Sequence, residues 1–311
     1  MNIVIIGRSE LMFDTLLLAI ESQFNVVGII SAKEAPEYKY SAEEFVEFAE
    51  KRNIPCILTS KLDSEKGRAF FSELKSIDLG LSANFSGIIP QCIIDLFSIG
   101  ILNAHGGDLP RYRGNACSAW ALIKGEEKIG LCIHKMIGGE LDNGDIIERE
   151  YYLTDINTKV GEVWQWMNSR IPHMFLSAAK KLNQDPSYAL ESQSKDPKDA
   201  LRCYPRKPED GQIDWSKSAE VILRLINASG PPYSGSFSYL DGKKVYILDA
   251  EIVDDGEIFF AIPGQVTSFD SEKGKVVIAC GEGKLCLIKF LHESENTTFL
   301  IKSTRQRFTN E

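Results

Sequence analysis

A change of rhythm along the chain narrows its fold more than any other feature. As far as residue 182, short runs of aliphatic residues alternate with stretches of helical period; beyond Tyr233 only strand-like runs remain. Strands are expected at 3–6, 24–31, 56–58 and 79–83, and helices at 11–22, 43–52 and 67–74. In the second helix Phe45, Val46, Phe48 and Ala49 follow helical spacing, and Asn53-Ile54-Pro55 ends it. Strands alternating with helices predict a mostly parallel, Rossmann-like α/β sheet with crossover helices, closed here by a long helix at 160–182.

Residues 184–205 carry Pro186, Pro197 and Pro205 among polar residues and read as a linker. A short helix at 218–228 follows, then strand-like runs at 236–239, 244–252, 264–269, 276–280 and 285–290. Asp241-Gly242 between two of these runs is a hairpin signal. The expected organisation is an α/β domain at 1–183, a linker at 184–205 and a smaller, barrel-like (OB-like) β domain at 206–311. The polar stretch 293–311 reads as a tail or a dimer arm, and there are no internal repeats.

Hydrophobic content of 43% and charged content of 25% suit a soluble globular protein, and no apolar run reaches membrane-spanning length. The start of the chain lacks a basic segment and reads as a first strand rather than a signal peptide. Seven cysteines form no C-x-x-C pair and several sit in apolar runs, which favours reduced core residues of a cytoplasmic protein over disulfides. Four scattered histidines give no metal site. Gly7-Arg8-Ser9-Glu10 follows the first strand without G-x-G-x-x-G spacing, which argues against a dinucleotide. The formal net charge is −9, and the linker has no lysine–arginine stripe to serve as a nucleic-acid footprint.

The chemistry concentrates in residues 103–145. Asn103 and His105 are two apart, so on a strand both point to one side, just beyond the apolar run 99–102. Asp142 follows in a turn flanked by Gly138-Gly139 and Asn143-Gly144. An amide to donate to a developing oxyanion, an imidazole to handle a proton and a carboxylate to orient it are the equipment of acyl transfer. Asp145 competes with Asp142 for the third role and is expected to brace the loop instead. His134, in an apolar strand at 130–136, reads as structural, and His173 and His292 as surface or packing residues.

Asn103-x-His105, then Leu109-Pro110-x-Tyr112-Arg113-Gly114, then Leu141-Asp142-x-Gly144-Asp145 resemble the 10-formyltetrahydrofolate-dependent formyltransferases. That family includes the methionyl-tRNA, glycinamide ribonucleotide and amino-sugar enzymes. Residues 78–90, 206–215 and 231–237 extend the resemblance to most of the chain, through about residue 248. The resemblance implies Asn103, His105 and Asp142 as catalytic residues and N10-formyltetrahydrofolate as co-substrate. It implies Phe85, Ser86, Gly87, Ile88, Gly138, Gly139 and Leu141 around the pterin. Ser9, Arg111, Arg113 and Tyr233 are expected at the acceptor.

Gly107-Asp108 and residues 115–120 depart from the pattern usual in the tRNA enzymes. With the acidic balance, this points to a nucleotide-linked amino sugar as acceptor, in surface polysaccharide or lipopolysaccharide biosynthesis, with no nucleic-acid or membrane partner. A homodimer is expected. The alternatives are methionyl-tRNA formyltransferase and a folate-binding or formyl-folate-hydrolysing protein with no amine acceptor.

Overall fold

The computed structural model describes residues 1–35, 38–270, 272, 274–292 and 301–310. The chain divides into two units: Met1–Gly114, Gly130–Tyr152 and Gln165–Arg202 form the first, and Asn115–Ile129, Leu153–Trp164 and Cys203–Glu311 the second.

In chain order the elements up to the long helix are β1 (Asn2–Gly7), α1 (Glu10–Glu21), β2 (Asn25–Ser31), α2 (Ala42–Arg52), β3 (Cys56–Leu58), α3 (Glu65–Glu73), β4 (Leu79–Ala83), α4 (Gln91–Ile94), β5 (Gly100–His105), β6 (Arg113–Gly114), α5 (Cys117–Lys124), β7 (Lys128–Lys135), β8 (Ile146–Leu153) and α6 (Val160–Gln184). The first unit is built on a seven-stranded sheet in the order β3-β2-β1-β4-β5-β7-β8. Its first five strands are parallel, and β7 turns antiparallel against β5. The Ile3, Val4, Ile5 and Ile6 side chains are fully buried, as a central strand of a parallel sheet requires when both its faces are covered. Local chemistry sets the helix ends: α2 starts at a capping box, in which Ser41 Oγ accepts from the Glu44 N–H at 3.3 Å and the Glu44 carboxylate from the Ser41 N–H at 2.8 Å.

The later elements are β9 (Arg202–Cys203), α7 (Ala219–Ser229), β10 (Ser236–Leu240), β11 (Lys243–Val253), β12 (Val266–Asp270), β13 (Lys275–Ala279), β14 (Lys284–His292) and β15 (Phe308–Thr309). β10 to β15 form one antiparallel sheet in the order β12-β13-β14-β11-β10-β15, the curled half-barrel of the second unit. Asp241 and Gly242 both have positive φ, 51° and 74°, and make the two-residue turn that joins β10 to β11. The curl brings the two edges of the sheet together. The Phe308 N–H donates to the Gly264 carbonyl at 2.8 Å and the Val266 N–H to the Gln306 carbonyl at 3.1 Å, so neither edge is left open there. Inside, Trp215, Ile222, Leu223, Ile226, Leu285 and Phe308 belong to one apolar core.

The polar C-terminal stretch differs from the expected tail or arm. Residues 293–300 lie outside the described residues, but Ile301 and Phe308 are buried and β15 extends the sheet beyond β10. Two apolar side chains suffice to anchor a polar segment when they fall on an open sheet edge.

Candidate active site

Asn103 and His105 close β5 at the carboxyl end of the parallel strands, the place where sites form in such sheets. The antiparallel register sets Asn103 opposite His134 and His105 opposite Cys132 on β7. Asn103 Nδ2 lies 3.3 Å from His134 Nε2, and His134 Nδ1 lies 2.9 Å from the Lys135 carbonyl. A carbonyl can only accept, so Nδ1 carries the His134 proton and Nε2 accepts from Asn103. Among the described residues the second N–H of the Asn103 amide has no protein acceptor.

His105 is buried, with Nε2 2.6 Å from the Tyr112 carbonyl and Nδ1 3.5 Å from Asp142 Oδ2. The carbonyl again assigns the proton, here to Nε2, so in the neutral ring the lone pair of Nδ1 faces the carboxylate. Burial lowers the His105 pKa below its ordinary value; the Asp142 charge and the Tyr112 carbonyl oppose that shift without cancelling it. Gly107 leaves room for this ring, since a Cβ there would run into the Tyr112 carbonyl and the imidazole.

Asp142 comes from the loop between β7 and β8 and has φ of 48°. The turn depends on Gly144, where any Cβ would collide with the Lys135 carbonyl. Oδ2 accepts from the Gly114 N–H at 2.9 Å, and Oδ1 lies 3.6 Å from His134 Nε2, an electrostatic contact longer than a hydrogen bond. Burial opposes ionisation of Asp142, but the His134 ring, His105 and the Gly114 N–H outweigh it and hold the pKa at about 2. The site therefore sets an ionised carboxylate beside an imidazole whose charging burial disfavours and that carboxylate favours. Asp145 stands apart from this cluster and braces the loop through its carbonyl, which accepts from the Lys135 N–H at 2.9 Å.

The other expected residues fall into groups. The segments 85–88 and 138–141 approach each other through α4: the Gly138 N–H donates to Gln91 Oε1 at 2.8 Å, and a Cβ on Gly138 would strike the Gln91 backbone. Ile88 is 84% exposed and Leu141, next to Asp142 in the chain, 40%. Ser86 lines a cavity of about 440 Å³ with Lys33, Thr59 and Ser60, whereas Leu141 and Arg113 line another of about 480 Å³ with Asn143, Leu201 and Arg202. Ser9 is buried, receives a hydrogen bond from Asn84 at 3.3 Å and lies on the turn after β1, two strands from His105. Arg111 is exposed, with its guanidinium 5.7 Å from the Tyr112 ring. Arg113 donates to Gln193 Oε1 at 2.7 Å. Tyr233 belongs to the second unit, 37% exposed and edge-on to Trp164 at 5.7 Å.

Three contributors were missed in the sequence. His134 touches both Asn103 and Asp142, the Tyr112 carbonyl fixes the His105 tautomer, and Gln193 reaches the loop from the segment that read as a linker. Only His134 left a signal, as a lone histidine in an apolar strand; the main-chain groups have none. Asp108, expected in an acceptor wall, is engaged by Arg149 and by the Tyr151 hydroxyl at 3.0 Å, and Arg149 also meets Glu191 at 2.6 Å.

An amide donor, an imidazole and an ionised carboxylate at the carboxyl end of an α/β sheet define an acyl-transfer enzyme. The chain belongs to the formyl transferase family: residues 1–178 match the family described as Formyl transferase and residues 206–301 its C-terminal domain. The family's donor is formyl-tetrahydrofolate.

The methionyl-tRNA formyltransferase of Acetivibrio thermocellus is 27% identical over 292 residues, covering 92% of this chain and 90% of that one. The N-formyltransferase of Helicobacter canadensis, solved with folinic acid and dTDP-3-aminofucose, shares the fold with a TM-score of 0.68 at 16% identity, over 92% of this chain and 97% of that one. HypX of Aquifex aeolicus, solved with tetrahydrofolic acid, has a TM-score of 0.62 at 16% identity. The match takes in 94% of this chain and 44% of HypX, so this chain spans less than half the length of that protein.

Proposed function

We propose that this protein moves a formyl group from N10-formyltetrahydrofolate to the primary amine of a nucleotide-linked amino sugar. The observation that carries the reading is the cluster of Asn103, His105, His134 and Asp142 at the end of β5. The donor, when bound, supplies a formyl group on a nitrogen that already leaves readily. The residues present suit it: Ile88 and Leu141 offer apolar contact to a flat ring, and the bare backbone at Gly139 has no atom within 4 Å of where a Cβ would stand.

Asn103 then presents its second amide N–H to the oxygen on which charge develops, held at the correct angle by His134. His105 Nδ1 is the seat for the proton shed by the amine, and that proton passes on to the folate nitrogen as its bond to the formyl carbon breaks. A proton arriving there turns a lone pair facing a carboxylate into an ion pair with Asp142, which compensates for the cost of charging a buried ring. Phe85, Ser86, Gly87, Gly138 and the other pterin residues, Ser9, Arg111, Arg113 and Tyr233 at the acceptor, and catalysis within residues 1–183 remain part of this reading. So do the homodimer, the cytoplasmic location and a product destined for surface glycans.

Charge favours the sugar over tRNA. Neutralising many phosphates takes a stripe of lysine and arginine, and the chain is acidic, at −9. A nucleoside diphosphate needs one or two arginines. The full-length similarity to methionyl-tRNA formyltransferases supports the second reading, transfer to initiator tRNA. Formyl transfer measured with dTDP-, UDP- and GDP-linked amino sugars and with methionyl-tRNA, at low and moderate salt, separates the two. Turnover with an amino sugar alone is expected; salt-sensitive formylation of methionyl-tRNA alone would establish the other.

A further inference from the structure

We propose that Gln193 is a positioning residue for Asp142, an inference that rests on the formyl-transfer reading of the site. Its side chain is 7% exposed and comes from the polar segment that follows α6. Nε2 donates to the Asp142 carbonyl at 2.9 Å and to the Gly144 carbonyl at 2.7 Å, and Oε1 accepts from Arg113 at 2.7 Å. Those partners leave no ambiguity in the amide, because a guanidinium only donates and carbonyls only accept. The two carbonyls flank Asn143, so a single side chain grips both sides of the turn that carries Asp142.

The grip has a physical purpose. Asp142 occupies the left-handed region, a conformation that a non-glycine residue keeps only when its surroundings impose it. Gly144 supplies the space and Gln193 the hold. The segment carrying Gln193 is itself clamped, since Glu191 and Ile146 exchange both main-chain hydrogen bonds at 2.8 Å and the Glu191 carboxylate meets Arg149. Glutamine is the residue that fits: a glutamate would keep the bond from Arg113 but set an acceptor against two carbonyls and bring a second anion beside Asp142. Through this arrangement Gln193 fixes where the Asp142 carboxylate stands relative to His105 Nδ1.

Two variants test it. Gln193→Met keeps the length and apolar packing and removes all three hydrogen bonds; Gln193→Glu keeps the Arg113 contact and removes the two donated bonds. In each, kcat is expected to fall about 10²-fold, the scale for a reacting group displaced by about 1 Å, while KM for the donor stays within about threefold. The second readout is the His105 imidazole titration followed by NMR without any acceptor. The groups facing that ring are Asp142, His134 and Arg113. In Gln193→Met a carboxylate that has moved away supports the protonated ring less, so the titration midpoint moves to lower pH. Because this measurement needs no substrate, it stands even if the acceptor is not a sugar. An unmoved midpoint in folded Gln193→Met, or unchanged kcat in both, overturns the proposal. Should Gln193→Met not fold, the kcat of Gln193→Glu carries the test.

Discussion

β5 and the loop between β7 and β8 meet at one site and hold their functional groups in opposite ways. On β5, Asn103 and His105 are fixed by the ladder, with neighbours on β4 and β7 and a fully buried Leu102 between strand and core. In the loop, Asp142 has no ladder. Its place follows from a glycine that leaves room, a main-chain N–H from Gly114 and the Gln193 amide. A strand supports its side chains with many redundant bonds, and a loop supports them with a few specific ones. Substitutions on the strand should therefore remove chemistry and spare the fold, whereas substitutions in the loop should disturb both.

The largest expected effect tests the strand. His105→Ala and Asn103→Ala should each lower turnover by about 10²–10³-fold, with an unfolding midpoint close to that of the parent. Near-normal turnover in His105→Ala would show that the groups on the strand do not carry the chemistry. Next comes the loop: Gly144→Ala places a Cβ against the Lys135 carbonyl and should cost about 3 kcal/mol of stability as well as activity. Denaturant unfolding that shows no loss would mean the turn relaxes freely.

The smallest effect is a pH dependence. The Asp142 pKa is lowered from 3.8 to about 2 in the folded protein. A depressed carboxyl contributes stability above its unfolded pKa and loses it as pH falls through the folded one, so the contribution is complete above about pH 4 and gone below about pH 2. The stability difference between the parent and Asp142→Asn should shrink by about 2 kcal/mol across that window. A difference that stays flat would show that the loop does not hold the anion as described.

The same contrast explains what could be read from the residues alone. The alternation of strand and helix, the Asp241-Gly242 turn and the i, i+2 spacing of Asn103 and His105 are local patterns, and each has its counterpart in the structure. His134 read as a structural residue because its contacts depend on the β5–β7 register, which joins positions 31 apart. Gln193 looked like any polar residue in a proline-containing stretch, since the carbonyls it serves lie about fifty positions earlier. Phe308 was hidden in a polar tail for a related reason: the edge that it covers belongs to β10. Groups positioned by neighbours in sequence are legible there, and groups positioned by distant main-chain atoms are not.

The closest partner of the Asp142 carboxylate is the Gly114 N–H, an atom common to every amino acid except proline. That part of the grip on the anion is written in the path of the chain, which Gly114 follows with φ of 102°, and the Gln193 side chain supplies the rest. Descendants of this protein could exchange the side chains at 115–120 one after another while that amide stays where it is. Side chains after Gly114 can drift across generations without each change reopening the question of how the carboxylate is held.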